Sequence, residues 1–217
     1  MAAPRSTRAS SSSRRPVVPD VIVEEAIHLF AEHGYPVVGM RDLSKAVGIQ
    51  SGSLYSHIDS KETVLLLIVE QGINRYIDAL SAAATPDLPP DIRLRLAIRA
   101  HMSVVATSPE QTKVTFQQWH YLGPDNRARV VELRQRYEDI FLNIAQDGIR
   151  DGVFRKVPHI KATLLTLIGG LTFAAEWYSS SKSDSPEQMA DAIADALLNG
   201  LMTPAEGANA SGARRRR

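Results

Sequence analysis

The stretch GIQSGSLYSHIDSKE, residues 48–62, gathers short hydroxyl side chains, one Gln, one Tyr, one His and one Lys with little apolar surface of its own. Such groups offer hydrogen bonds at close range rather than nucleophilic or acid–base chemistry. They suit a surface that must approach a polyanion and read base edges. Gly48 permits a sharp turn and Ile49 plugs the space behind it. Gln50, Ser51, Gly52 and Ser53 then form the exposed start of a short helix of about two turns reaching His57, with Leu54 and Ile58 turned into a core. Tyr55 and His57 face outward, where a hydroxyl and an imidazole can bond to phosphate or to a base. Lys61 adds a phosphate contact at the start of the next helix, and Arg41 another ahead of the turn. Taken singly, Tyr55 reads as a half-buried aromatic, His57 as a surface histidine and Lys61 as a solvated charge. Their joint spacing carries the reading.

The flanking pattern supplies the elements that would position these groups. Val23, Ala26, Ile27 and Phe30 fall at i, i+3, i+4, i+7, an amphipathic helix opened by Pro19 and Asp20 and ended by Gly34. Met40, Leu43 and Val47 share one face of a second, short helix that stops at Gly48. Two short helices joined at a glycine form a helix-turn-helix, the first crossing the sugar–phosphate backbone and the second entering the major groove. Asp59 with Glu62 three residues on predicts a capping box for a long fourth helix reaching towards Ala84. TPDLPP, residues 85–90, breaks the pattern. Helices are then expected near 91–107, 109–121, 125–151, 158–180 and 185–202, with Pro109, Pro124, Pro158 and Pro186 at or near starts and Gly152 after an end. No stretch alternates with period two and no repeat occurs. The fold class is all-α with about nine helices: a three-helix head and a helical body.

Composition narrows the function. The 217 residues are 44% hydrophobic and 23% charged, ordinary for a globular protein, and contain no Cys, which excludes disulfides and thiolate metal sites. Net charge is +1, yet eight of the 25 basic residues are Arg at the two ends: Arg5, Arg8, Arg14, Arg15 and Arg214 to Arg217. Ser-, Pro- and Gly-rich composition there predicts a disordered basic arm over 1–18 and a disordered tail over 204–217. Between them the expected units are a helix-turn-helix DNA-binding domain over 19–64 and a helical body over 65–203. The longest apolar run, LLTLIGGLTFAA, is short of the roughly 20 residues that cross a bilayer. The expectation is a soluble cytoplasmic protein with no membrane partner. No P-loop, G-x-S-x-G or H-E-x-x-H occurs, and six His lack ligand spacing, so no catalytic residue, metal or cofactor is expected. A sequence-indifferent binder driven by the Arg tails is the alternative, and a helical enzyme the least favoured one.

FAEHGYPVVGMRDLSKAVGIQSGSLYSHIDSKETVL resembles the DNA-binding signature of the TetR family of bacterial repressors. That signature runs F-x-E-x-G, R-[DE]-[IL]-A, then G-[VI]-x-x-G-[ST]-[LI]-Y-x-H-[FI]-x-[SN]-K-E. Where the family usually carries two Thr, this chain has Val38 and Gly39, and Ser44 replaces the usual Ala. The head over 19–62 also sets only Arg41, Lys45 and Lys61 against seven acids, so helix N-termini and the basic arm are expected to supply attraction for DNA. The resemblance implies that residues 65–203 are a ligand-binding and dimerisation domain, in an all-helical homodimer that represses from a palindromic operator, with half-sites about 34–36 Å or a multiple apart, and is released by a small ligand.

In the body, Leu164, Leu167, Ile168, Leu171 and Ala175, with Gly169 and Gly170, form one predicted interface face; Met189, Ile193, Ala196, Leu197 and Leu201 form another. The resemblance implies that these pair with their symmetry mates as a four-helix bundle. His101, Met102, Phe116, Trp119, His120, Tyr137, Phe141, Phe173 and Trp177 mix apolar bulk with polar handles and are the candidate ligand-binding residues. Residues 117–154 resemble the body of TetR relatives that sense acyl-CoA thioesters. Arg127, Arg129, Arg134 or Arg136 could meet such a ligand's phosphates.

Overall fold

Proline and glycine punctuate the chain where its helices begin and end. In the computed structural model, which describes residues 19–179 and 184–202, α1 spans Asp20–His33 and α2 Met40–Val47. Gly34 (φ 84°) and Gly48 (φ 76°) follow them in the region that side chains disfavour. α3 is Ser51–Leu54 and α4 Lys61–Ala83. α5 (Pro90–Thr107), α6 (Pro109–Gln117) and α7 (Pro124–Arg150) each begin on proline, whose missing N–H costs nothing at a first turn. α8 spans Ile160–Thr172, α9 Ala174–Trp177 and α10 Pro186–Leu201. Trp119–Tyr121 forms a 3₁₀ turn, and one isolated antiparallel bridge joins Phe154 to Met202. The basic arm and tail lie outside the described residues.

Three expectations change. The helix predicted over 158–180 is interrupted at Phe173 into α8 and the four-residue α9, within an all-α fold of about the nine helices expected. Pro158 lies near the start of α8 as expected, the helix opening two residues later, after His159 in the left-handed region (φ 56°). The helix predicted over 109–121 ends at Gln117, where the chain tightens into the 3₁₀ turn. Ser60, not Asp59, caps α4: its hydroxyl accepts from the Thr63 N–H at 3.1 Å. Glu62 instead accepts from the Gly123 N–H (2.8 Å) and Asn126 Nδ2 (2.7 Å), donors that a capping box would forgo.

α4 forms the axis. Val64 and Leu65 near its start and Ile73, Tyr76 and Leu80 further along are all buried, in a helix about 34 Å long that contacts α1 as well as α5, α6 and α7. α5, α6 and α7 surround it, α10 lies along α5, and α8 rests on α7. Ion pairs tie α5 to its neighbours: Arg99 bonds Asp191 in a two-pronged fork (2.7 and 2.6 Å), Arg95 reaches Asp195 (2.5 Å), and Arg93 reaches Asp147 of α7 (2.7 Å). Because α4 runs from head to body, the two share a helix rather than a flexible linker.

Candidate nucleic-acid interface and buried polar cluster

The head holds its short helices by burying a few apolar side chains. Phe30, Leu43, Leu54 and Ile58 are at most 1% exposed, and Ala26 joins them. α3 is a single turn, continued by tight turns in which the Ser56 N–H meets the Ser53 carbonyl and the His57 N–H the Leu54 carbonyl. Two turns of helix were expected; three Ser and a Gly are weak helix formers, and Leu54 and Ile58 anchor the segment without them. Gln50, Gly52, Ser53, Tyr55 and His57 lie exposed on one tip, and Arg41 is exposed on α2. Tyr55 is 56% exposed although it sits between two residues in the turn that covers the core.

Two of the expected DNA contacts are held differently. Ser51 is half-buried and its hydroxyl pairs with the Ser44 hydroxyl at 3.0 Å, which locks α3 to α2. Ser44 itself is buried, so its hydroxyl, absent from the usual alanine, finds its partners inside the head. Lys61 turns inward: Nζ donates to the Tyr35 carbonyl (2.7 Å) and the Val38 carbonyl (2.6 Å) and lies 4.2 Å from the Tyr35 ring centroid. Burial pulls its pKa down, with Asp42 opposing that shift. It fastens the α1–α2 loop rather than presenting a free ammonium. At the two positions where Thr is usual, Val38 is buried and the Gly39 N–H bonds the Asp42 carboxylate at 2.8 Å.

In the body, the candidate ligand residues separate into two groups. His101, Met102, Phe116, Tyr137 and Phe141 are buried and converge. The His101 ring lies 4.5 Å from that of Tyr76, Phe116 lies 5.2 Å from Tyr76 and 5.7 Å from Tyr137, and Tyr137 lies 5.8 Å from Phe141. These are the spacings of rings in contact, so a ligand here must repack them. Tyr137 Oη pairs with His101 Nδ1 (3.0 Å) and Tyr76 Oη with Thr112 Oγ1 (2.7 Å). Thr115 Oγ1 is buried without a hydrogen-bond partner, while His101 Nε2 approaches the Leu171 carbonyl outside ordinary hydrogen-bond geometry. Burial pulls the His101 pKa down to about 4, with the Leu171 carbonyl opposing, and pushes both phenols up. The side chains of the cluster are therefore neutral, and the Thr115 side chain lies against Gly72 of α4.

His120, Phe173 and Trp177 do not join it. His120 is exposed because the 3₁₀ turn redirects the chain after Gln117. Phe173 (56% exposed) and Trp177 (48%) face outward because the helix breaks between them and α8. Trp119 is half-buried beneath the Arg134 guanidinium, 5.0 Å from the ring centroid. Of the arginines considered for phosphates, Arg127 bonds the His120 and Leu122 carbonyls, Arg129 pairs with Glu70, and Arg136 lines an open groove with Glu132 and Asn74. Trp177, Leu167, Gly170, Ile193, Ala196 and Leu197 line a largely apolar groove of about 630 Å³ between α8 and α10.

Tyr76, Thr112 and Thr115 were missed by sequence reasoning. Tyr76 continues the apolar face of α4, and nothing in its spacing separates a polar pairing from core. Gln118 and Glu62, which join head to body, gave no signal either, since each meets its partners across 61 or more residues.

Comparison with known proteins matches both halves. Residues 22–75 match the sequence pattern of the tetR family of bacterial regulatory proteins, and residues 87–201 that of the tetracyclin repressor-like C-terminal domain. The chain is 26% identical over 212 residues to the HTH-type transcriptional repressor KstR2 of Rhodococcus jostii, covering 93% of this chain and 97% of the relative. It is 19% identical to the fatty acid metabolism regulator protein of Bacillus subtilis, covering 83% and 93%. Among solved structures, the TetR family regulator PfmR of Thermus thermophilus superposes with a TM-score of 0.76 at 29% identity, covering 84% of this chain and 99% of that one. AibR in complex with isovaleryl coenzyme A and operator DNA superposes with a TM-score of 0.73 at 22% identity, covering 85% and 98%, a likeness of fold. With its reading head and its helical body both matched, the chain belongs to the TetR family of bacterial transcriptional regulators.

Proposed function

We propose that this protein is a cytoplasmic, non-enzymatic transcriptional repressor that binds a palindromic operator as a homodimer and is released by a small ligand. The observation that carries the reading is the tip of α3. Gln50, Gly52, Ser53, Tyr55 and His57 stand in solvent while Leu54 and Ile58, interleaved with them, are fully buried. A rigid, polar, small-residue tip is suited to the major groove, with Arg41 on the flanking phosphate. In this reading the head spans 19–64 and the body 65–203. The second copy covers the apolar groove between α8 and α10, which supports an isologous dimer. Selection of duplexes from a random pool tests it. A palindrome should emerge, and recovery of unrelated sequences would reject the repressor.

For the ligand we propose a molecule with an apolar, uncharged end, of the acyl-thioester class. The end repacks the His101, Phe116 and Tyr137 cluster, whose rings are otherwise in contact with one another. The neutral side chains of the cluster support this, since burial of an ionised group there is costly, while the Arg134 guanidinium, 5.7 Å from the Phe116 ring centroid, is placed to meet a polar head group. The bound coenzyme A ester of AibR is a property of that neighbour; it supports the class without fixing the member. To move a head equilibrium from 1:99 to 99:1 the ligand must discriminate between conformers by about 5.5 kcal/mol. Titrating short- and medium-chain acyl-CoAs into the selected-duplex complex should release the protein with at least one; retention with every member removes the thioester class.

A further inference from the structure

α6 belongs to two places at once. One face carries Thr112, Thr115 and Phe116 into the buried cluster, with Thr112 held by the Tyr76 hydroxyl at 2.7 Å. Its end leads directly into the head. Gln118 Oε1 accepts from the Tyr35 N–H at 2.7 Å, and Gln118 Nε2 donates to the Phe30 carbonyl at 2.7 Å. One amide thus grips the last turn of α1 and the loop beyond Gly34 together. Tyr121, in the 3₁₀ turn that follows, stacks on Tyr35 with centroids 5.6 Å apart. From Tyr35 the contacts continue: Lys61 bonds its carbonyl and that of Val38, two residues before α2. At the other end of α6, Glu110 meets His28 of α1 at 3.1 Å.

We propose that Gln118 is a positioning residue that sets the angle of the reading head on the body. The inference rests on the proposed reading of the head as the DNA-contacting part. α4 is one continuous helix and can transmit only a tilt. Gln118 adds a two-bond clasp off the α4 axis, made to backbone groups on both sides of Gly34, beside the side-chain contacts of His28 with Glu110 and of Tyr35 with Tyr121. The amide is suited to this because it presents one acceptor and one donor in a plane. Methionine has similar length and neither group. Glutamate keeps the acceptor but sets a carboxylate against the Phe30 carbonyl.

The absence of cysteine allows spin labels at Glu24→Cys on α1 and Gln146→Cys on α7, both exposed, with a labelled protomer diluted into unlabelled protein. Pulsed electron resonance should give one narrow head–body distance for the parent chain and a broad one for Q118M and Q118E, at unchanged helicity and with cooperative melting retained. A narrow, unshifted distribution in both variants overturns the proposal. Should Q118M fail to fold, Tyr121→Leu carries the same expectation and the same refutation. With a selected duplex, Q118M should bind at least tenfold more weakly with unchanged base preference; equal affinity overturns the consequence for DNA. A parent chain that selects no duplex refutes the proposed function, while the distance measurement still decides the role of Gln118.

Discussion

Lys61 and Arg41 both read as phosphate contacts, but their surroundings give them different work. Lys61 has two of its three donors on loop carbonyls, while Arg41 stands in solvent. Arg41→Ala should reduce the slope of log affinity against log salt by about 1. Lys61→Met should leave that slope unchanged and destabilise the fold by about 1–3 kcal/mol, the scale of losing hydrogen bonds from a charged group. Salt titration and urea denaturation of the two variants separate these outcomes. His101 gives a pH signature. It is held neutral with a pKa of about 4, against 6.5 in the open chain. Below 6.5 the unfolded chain takes up a proton that the folded one refuses. Stability is therefore full above that pH and falls by about 3 kcal/mol as pH drops towards 4. Urea denaturation between pH 7 and 4 should show a shallower acid limb in His101→Phe than in the parent; parallel limbs would refute the assignment.

At the scale of elements, close approach decides more than propensity does. Gly148 on α7 faces the Phe154 ring so closely that a methyl group would overlap it, and the Phe154 N–H closes on the Gly148 carbonyl at 2.9 Å. Gly148→Ala should therefore cost about 1–3 kcal/mol by overpacking, and Phe154→Leu in the same chain should recover part of it. Equilibrium denaturation of the single and double variants checks this. Most helix limits were legible because Pro109, Pro124 and Pro186 mark starts and Gly34 and Gly48 mark stops, both by local backbone chemistry. The break at Phe173 was not legible. LLTLIGGLTFAAEW has a continuous apolar pattern, and nothing local in it distinguishes a straight helix from one interrupted by packing against α5 and α6.

For the whole molecule, the proposed dimer depends on the groove between α8 and α10. Gly169 and Gly170 leave open space where a side chain would stand, and Trp177 and Leu167 border the groove. Trp177→Glu places an unpaired charge there. Light scattering should then report a monomer where the parent is a dimer, and the selected palindrome should bind at least tenfold more weakly, because one head reaches only one half-site. A dimeric Trp177→Glu variant would place the interface elsewhere.

Sequence alone determined the class of fold, the helix-turn-helix and the tip residues Gln50, Gly52, Ser53, Tyr55 and His57. These follow from periodicity, turn chemistry and spacing within some 35 residues, where neighbours in the chain are neighbours in space. Tertiary structure alone decided that Lys61 and Ser51 turn inward, that His120, Phe173 and Trp177 leave the cluster, and that Gln118 grips the head. Each of these outcomes depends on a partner group whose position is set by packing of other helices, and a donor's nearest acceptor is a property of the assembled chain.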